Sequence, residues 1–159
     1  MRLAMLVLSL LLAAAPAVAQ VWGVYTNARF GYAVAVPPGF KGQGEADNGD
    51  GQVFRAPNGE ALLRVYGGNN LEVTFAESLR VGMKYAREAG WDLSYERVTR
   101  NWASYSGTRD HRILYARAIA LCDRDQFAAY ELEYPEDYDR EAMDVAIRQL
   151  NASLKATGC

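Results

Sequence analysis

The stretch 112–122, RILYARAIALC, constrains the fold more than any other part of the chain. Read with a period of two, it is one long β-strand whose two faces differ. Leu114, Ala116, Ala118, Ala120 and Cys122 point one way, and Ile113, Tyr115, Arg117, Ile119 and Leu121 point the other. A face of small residues suits a helix lying flat across it. The strand also needs neighbours to pair its backbone groups, and the flanking sequence supplies them.

Residues 21–27 and 32–36 alternate or run apolar and read as two strands, the second closed by Pro37-Pro38-Gly39. A polar, glycine-rich loop is expected over 41–51. Residues 52–55 and 61–66 read as a hairpin around Pro57-Asn58-Gly59. The period then changes. Thr74 with Glu77 three residues on forms a capping box, and Phe75, Leu79, Met83 and Ala86 recur at helical spacing. Gly90 stands where a C-terminal cap belongs, so a helix is predicted over 75–89. Gly82 in its middle costs about 1 kcal/mol against alanine, which predicts close packing at that point. Strands follow over 91–98, 102–107, 112–122 and 126–134, the last ended by Pro135. A second helix is expected from near Glu136, with Met143, Ala146, Ile147, Leu150 and Leu154 as its apolar stripe. Glu136 and Asp137 at its start complement the helix dipole. Packed on the alanine-rich face, this helix would bring Cys159 to Cys122. The fold class is α+β, an antiparallel sheet with helices packed on it.

Residues 1–19, MRLAMLVLSLLLAAAPAVA, carry one early cation, an apolar core and Ala17-Val18-Ala19 ahead of Gln20. That is the pattern of a cleaved secretory signal peptide. The apolar run is too short for a membrane span and no comparable run follows, so no membrane insertion is expected after cleavage. With no cysteine at the cleavage point, a lipid anchor is not expected either. Residues 20–159 then form a single domain, periplasmic or secreted. Ten tyrosines, five phenylalanines and three tryptophans supply bulky core material and argue against disorder. The formal net charge is −2, and loss of Arg2 with the leader makes it one unit more negative. With basic residues scattered singly, nothing draws the chain to nucleic acid or an anionic membrane. In an exported protein the two cysteines, Cys122 and Cys159, read as a disulfide.

The chemistry-bearing residues are few. His111 is the only histidine and stands beside Asp110, with Ser94, Ser104 and Ser106 nearby in sequence. Adjacent residues on a strand face opposite ways, so Asp110 cannot orient His111 as a triad requires. No G-x-S-x-G elbow exists, and His111 reads as a residue of a turn before a strand. Asp47-Asn48-Gly49-Asp50-Gly51 offers oxygen ligands but fails the EF-hand template, with Gly49 at the third position and Asn58 at the twelfth. No phosphate-binding glycine loop is present, and neither a cofactor nor a metal is assigned. Asp47, Asn48 and Asp50 read as a polar surface turn that doubles as a partner-contact loop. Glu131, Glu133, Glu136, Asp137, Asp139, Glu141 and Asp144 make a dense acidic cluster with Arg140 its only base. Asp137, Glu141 and Asp144 share the spacing of one solvated helix stripe, the alternative being the paired carboxylates of a glycosidase. Trp22, Trp91, Trp102 and the tyrosines read mainly as core, with an exposed binding patch as the other possibility.

Several short pieces carry a resemblance. They are Tyr25-Thr26-Asn27-Ala28-Arg29-Phe30-Gly31-Tyr32 leading to Val36-Pro37, Asn48-Gly49-Asp50-Gly51 with Phe54, Ser106-Gly107, and the ending with Tyr134-Pro135, Tyr138-Asp139, Ile147 and Leu154. Together they resemble small exported bacterial proteins whose fold is similar to PsbP, the extrinsic subunit of the photosynthetic oxygen-evolving complex. The resemblance spans most of residues 20–159. It implies an α/β/α sandwich around an antiparallel sheet and, since proteins of that fold mostly act by binding other proteins, a binding role. None of PsbP's ion-handling residues maps onto this chain. The expectation is a non-catalytic exported domain that binds another envelope protein through the sheet's exposed face or the 41–51 loop. The alternative is an envelope hydrolase or carbohydrate binder using the acidic residues at 131–144 and exposed aromatics.

Overall fold

The computed structural model describes residues 21–72 and 74–158. In chain order the elements are β1 (Gly23–Asn27), β2 (Tyr32–Val36), β3 (Lys41–Glu45), β4 (Gly51–Arg55), β5 (Leu62–Asn69), α1 (Phe75–Glu88), β6 (Asp92–Val98), β7 (Trp102–Arg109), β8 (Arg112–Ala120), β9 (Gln126–Pro135), α2 (Arg140–Ser153) and β10 (Lys155–Ala156). The fold is α+β: antiparallel sheets with two helices packed on them. Seven strands form one sheet in the order β3-β4-β5-β9-β8-β7-β6. A smaller sheet, β1-β2-β10, ties the segment after β2's hairpin to the segment after α2.

The strands expected at 32–36 and 126–134 and the helix expected at 75–89 form within a residue or so of those bounds. At the start of α1, Thr74 Oγ1 accepts from the Glu77 N–H as an N-cap, and its hydroxyl donates to the Glu77 carboxylate, which closes the pair side chain to side chain. At its end Gly90 sits at φ +93°, a conformation glycine adopts without a Cβ penalty.

Four expectations need correction. The alanine-rich face of β8 is covered by α1, not α2: Phe75, Leu79 and Met83 pack on Ala103, Leu114, Ala116, Ala118 and Ala129. Large knobs on α1 fill the space that small strand residues leave, whereas α2 offers Met143, Ala146 and Leu150 to a face already filled by Tyr130 and Leu132. Residues 41–45 are not a loop but the edge strand β3, paired with β4 and bulged between Gly42 and Glu45. Its sequence, KGQGE, carries no alternation because all five residues are exposed. Helix α2 starts at Arg140 rather than near Glu136, since Asp139 Oδ1 takes the Ala142 N–H at 3.0 Å and sets the N-cap. Finally, β8 stops at Ala120: Leu121 still donates its N–H to the Gln126 carbonyl, but its own carbonyl accepts from the Arg124 N–H in the turn to β9.

Between β7 and β8 the chain reverses in two residues, Asp110 and His111, both left-handed at φ 49° and 59°. Non-glycine residues there carry steric strain that an Asn-Gly pair relieves. Asp110→Asn with His111→Gly is expected to raise stability by about 1 kcal/mol. Thermal melting checks this, and an unchanged or lower Tm would contradict the strain argument.

Candidate functional site

Two places concentrate chemistry, one on each face of the large sheet. On the α1 face, β9 presents Glu131 and Glu133, two residues apart and so on the same side. Glu131 lies opposite Arg64 of β5, and Glu133 opposite Leu114 of β8. Between them and α1 lies a cavity of about 340 Å³ walled by Arg64, Tyr66, Gly82, Tyr85, Trp91 and Tyr105 as well as the two glutamates. A Cβ built on Gly82 would meet nothing within 4 Å, so the mid-helix glycine marks an opening rather than the expected close contact. A smaller recess of about 70 Å³ shares the walls Tyr66, Gly82 and Tyr105 and is otherwise lined by Ser78, Leu79, Ala116, Arg117, Ala118, Phe127, Ala129 and Tyr130.

The two glutamates are held differently. Glu133 is buried and accepts from Arg112 Nε at 2.6 Å and Arg64 Nη1 at 3.1 Å. Burial works against its charge, but the hydrogen bonds from Arg112 and Arg64 outweigh it and hold the carboxyl below the usual range. Glu131 instead takes two hydroxyl donors on one oxygen, Oε1, from Tyr66 at 3.1 Å and Tyr105 at 3.4 Å. Both phenols are pushed up, first by burial and then by the Glu131 charge, so they stay protonated donors at neutral pH. Among the described residues no cation lies within ion-pair distance of Glu131.

On the opposite face, beyond α2, two guanidinium groups flank one indole. Arg117 lies 4.5 Å and Arg97 5.2 Å from the Trp102 ring centroid. Arg117 Nη1 donates to Ser104 Oγ at 3.2 Å, while its buried Nε has no partner. Neither arginine meets a carboxylate among the described residues. Beside them Tyr95 is 43% exposed, large for an aromatic on a sheet. Helix α2 shields the β9 side of this face, where Asn151 receives the Tyr130 hydroxyl and donates to that of Tyr115.

The acidic cluster does not act as one. Glu131 and Glu133 enter the α1 cavity, whereas Asp139 and Glu141 rim an apolar groove of about 430 Å³ at the start of α2 with Trp22, Pro37, Pro38, Phe40 and Tyr138. Three pairs of carboxylates each share a recess: Glu131 with the arginine-bound Glu133, Asp139 with Glu141, and Glu136 with Asp144. Asp47, Asn48 and Asp50 form the tight β3–β4 turn. Asn48 Nδ2 donates to Asp50 Oδ2 at 2.8 Å, and Asn27 and Tyr32 bond the carbonyls of Gly49 and Asp50 from the core side. His111 is exposed in its turn, 3.5 Å from Glu136, and Ser104 belongs to Arg117 rather than to any triad. Cys122 is exposed in the turn after β8, while Cys159 lies outside the described residues, as do residues 1–19. Among those described, no helix is long and apolar enough to cross a membrane. Arg64, Tyr66, Tyr105 and Arg112 escaped the sequence because only strand register gathers them. The one visible signal was polar Glu131 and Glu133 alternating around Leu132.

No protein-family model matches the chain, and no curated protein does. Among solved structures it is similar to cyanobacterial PsbP (CyanoP) from Synechocystis sp. PCC 6803, at 15% identity and TM-score 0.64, covering 92% of this chain and 98% of that one. It is also similar to the Saccharomyces cerevisiae Ran-binding protein Mog1p, at 10% identity and TM-score 0.64, covering 87% and 96%. The chain therefore has a PsbP-like fold.

Proposed function

We propose that the chain is an exported, non-catalytic binding domain that receives an acidic segment of another envelope protein on the open face of β6, β7 and β8. One observation carries this: Arg97 and Arg117 clasp Trp102, and among the described residues no carboxylate forms an ion pair with either of them. Unpaired arginines around an aromatic ring suit the anchor of a protein interface. A binding role accords with how the titratable groups are held. Glu133 is committed to two arginines, the buried tyrosines hold their protons, and His111 occupies a strained turn. The fold is also that of a protein described as Ran-binding, which is compatible with such a role.

The test is crosslinking of the mature protein in its own periplasm, with co-purifying proteins identified by mass spectrometry. Arg97→Glu and Trp102→Ala should each cut capture of the dominant partner by about tenfold or more, with salt weakening capture of the wild type. Replacing Asp47, Asn48 and Asp50 with alanine should leave capture unchanged. The opposite pattern, loss with the turn variant only, would move the contact surface to the β3–β4 turn and overturn the assignment.

Export also carries the proposed bridge between Cys122 and Cys159. Mature protein taken from the periplasm should show no free thiol until it is reduced. Two free thiols before reduction would remove the bridge.

A further inference from the structure

Independently of the open face, we infer that the cavity under α1 is a binding site for a free α-amino acid with a small apolar side chain. The inference starts from two opposite charges that stand next to each other without pairing. Arg64 and Glu131 are direct cross-strand partners on β5 and β9, so their side chains leave the sheet about 5 Å apart. Arg64 nevertheless reaches diagonally to Glu133 with Nη1, and Glu131 is left to two tyrosine hydroxyls. Both hydroxyls share Oε1, so Oε2 has open lone pairs, and Arg64 keeps donors beyond Nη1.

An α-amino acid presents an ammonium and a carboxylate separated by one carbon, so one ligand can address both of these neighbouring groups. Its ammonium would meet Glu131 Oε2 and its carboxylate the remaining fork of Arg64, a charge-assisted contact at each end. Charge balance agrees. Glu131 and Glu133 cancel Arg64 and Arg112, so a net-neutral zwitterion enters without leaving an uncompensated charge, unlike a simple cation or anion. The volume of about 340 Å³ is ample for such a ligand. The third substituent on the ligand's α-carbon then points toward the recess of about 70 Å³ whose lining includes Leu79, Ala116, Ala118 and Ala129 beside Ser78 and Tyr105, a volume that holds only a small side chain. Gly82 leaves the entrance clear from the helix side.

The experiment is calorimetric titration of the mature protein with valine, N-acetylvaline and valinamide, repeated on Glu131→Gln and Gly82→Leu. Valine should bind saturably. Removing either charge, as in N-acetylvaline or valinamide, should weaken binding about tenfold or more. Glu131→Gln keeps the acceptor for both tyrosines and should show a similar loss. Gly82→Leu improves helix propensity, so it should fold normally yet abolish binding by filling the entrance. Four results would overturn the inference: no saturable heat with valine, alanine or leucine at millimolar concentration; equal affinity for valine and valinamide; undiminished binding by folded Gly82→Leu; or dipeptides preferred over the free amino acids.

Discussion

Tyr130→Ala should destabilise the domain by about 3–5 kcal/mol, the range for deleting a fully buried aromatic ring. Tyr130 is 0% exposed at the centre of β9, between Val65 of β5 and Arg117 of β8. Its ring stacks on Tyr115 with centroids 6.2 Å apart and planes at 26°. Its hydroxyl donates to Asn151 Oδ1 at 2.7 Å, and Asn151 Nδ2 in turn donates to the Tyr115 hydroxyl at 3.1 Å. Truncation therefore empties the sheet–α2 interface and strands a half-buried amide at once. Tyr130→Phe separates the two contributions and should cost only about 1 kcal/mol, the net value of one hydrogen bond. Denaturant unfolding of both variants measures the pair, and near-equal losses would show that the hydroxyl, not the ring, holds α2. Burial raises the phenol's pKa, with the nearby Tyr115 adding to this and Arg117 opposing it. Tyr66 and Tyr105 are raised likewise. A raised folded pKa gives stability that is whole below the unfolded value of about 10 and lost as pH climbs past it. The melting temperature should accordingly fall in alkali.

Glu133→Ala should cost about 2–4 kcal/mol at neutral pH, because it leaves Arg64 and Arg112 without their shared counter-charge. The carboxylate side chain is 10% exposed and the arginines 39% and 29%, so solvent softens the penalty on the basic side. Glu133's folded pKa is depressed, since its bonds to Arg112 and Arg64 overcome the cost of burial. Its contribution is then fully present above the unfolded value of about 4.3 and disappears as pH falls through the lower folded value. Wild type and Glu133→Ala should thus converge in stability in strong acid and diverge at neutrality. A difference independent of pH would mean that packing, not charge, accounts for the loss.

Elements with a strong internal period were legible in the sequence. Helix α1 announced itself through Thr74, Glu77 and the run Phe75, Leu79, Met83, and β8 through its two unlike faces. Elements stabilised from outside were not. KGQGE becomes β3 because β4 offers it a hydrogen-bonding edge, a tertiary fact with no local trace. The short β10 exists only through β2. The small face of β8 showed that a helix would lie across it but not which one, since either stripe met the apolar requirement. Gly82 could equally have meant contact or space, and only the neighbouring walls decide. The α1 cavity was half visible in Glu131 and Glu133 flanking Leu132. Arg64 lines it and Arg112 bonds Glu133 at its edge, both from other strands, through a register that no local pattern encodes.

The small sheet joins distant parts of the chain. Lys155 and Ala156 pair with Ala33 and Tyr32, the Thr157 N–H reaches the Gly31 carbonyl at 2.8 Å, and the Ala35 N–H bonds Ser153 Oγ across 118 positions. Loop-closure entropy must be lost before contacts of such separation form, which slows folding relative to locally connected domains. The hairpin synthesised first thus stays one strand short until residues beyond α2 exist. Folding of this domain therefore waits for the residues that follow α2.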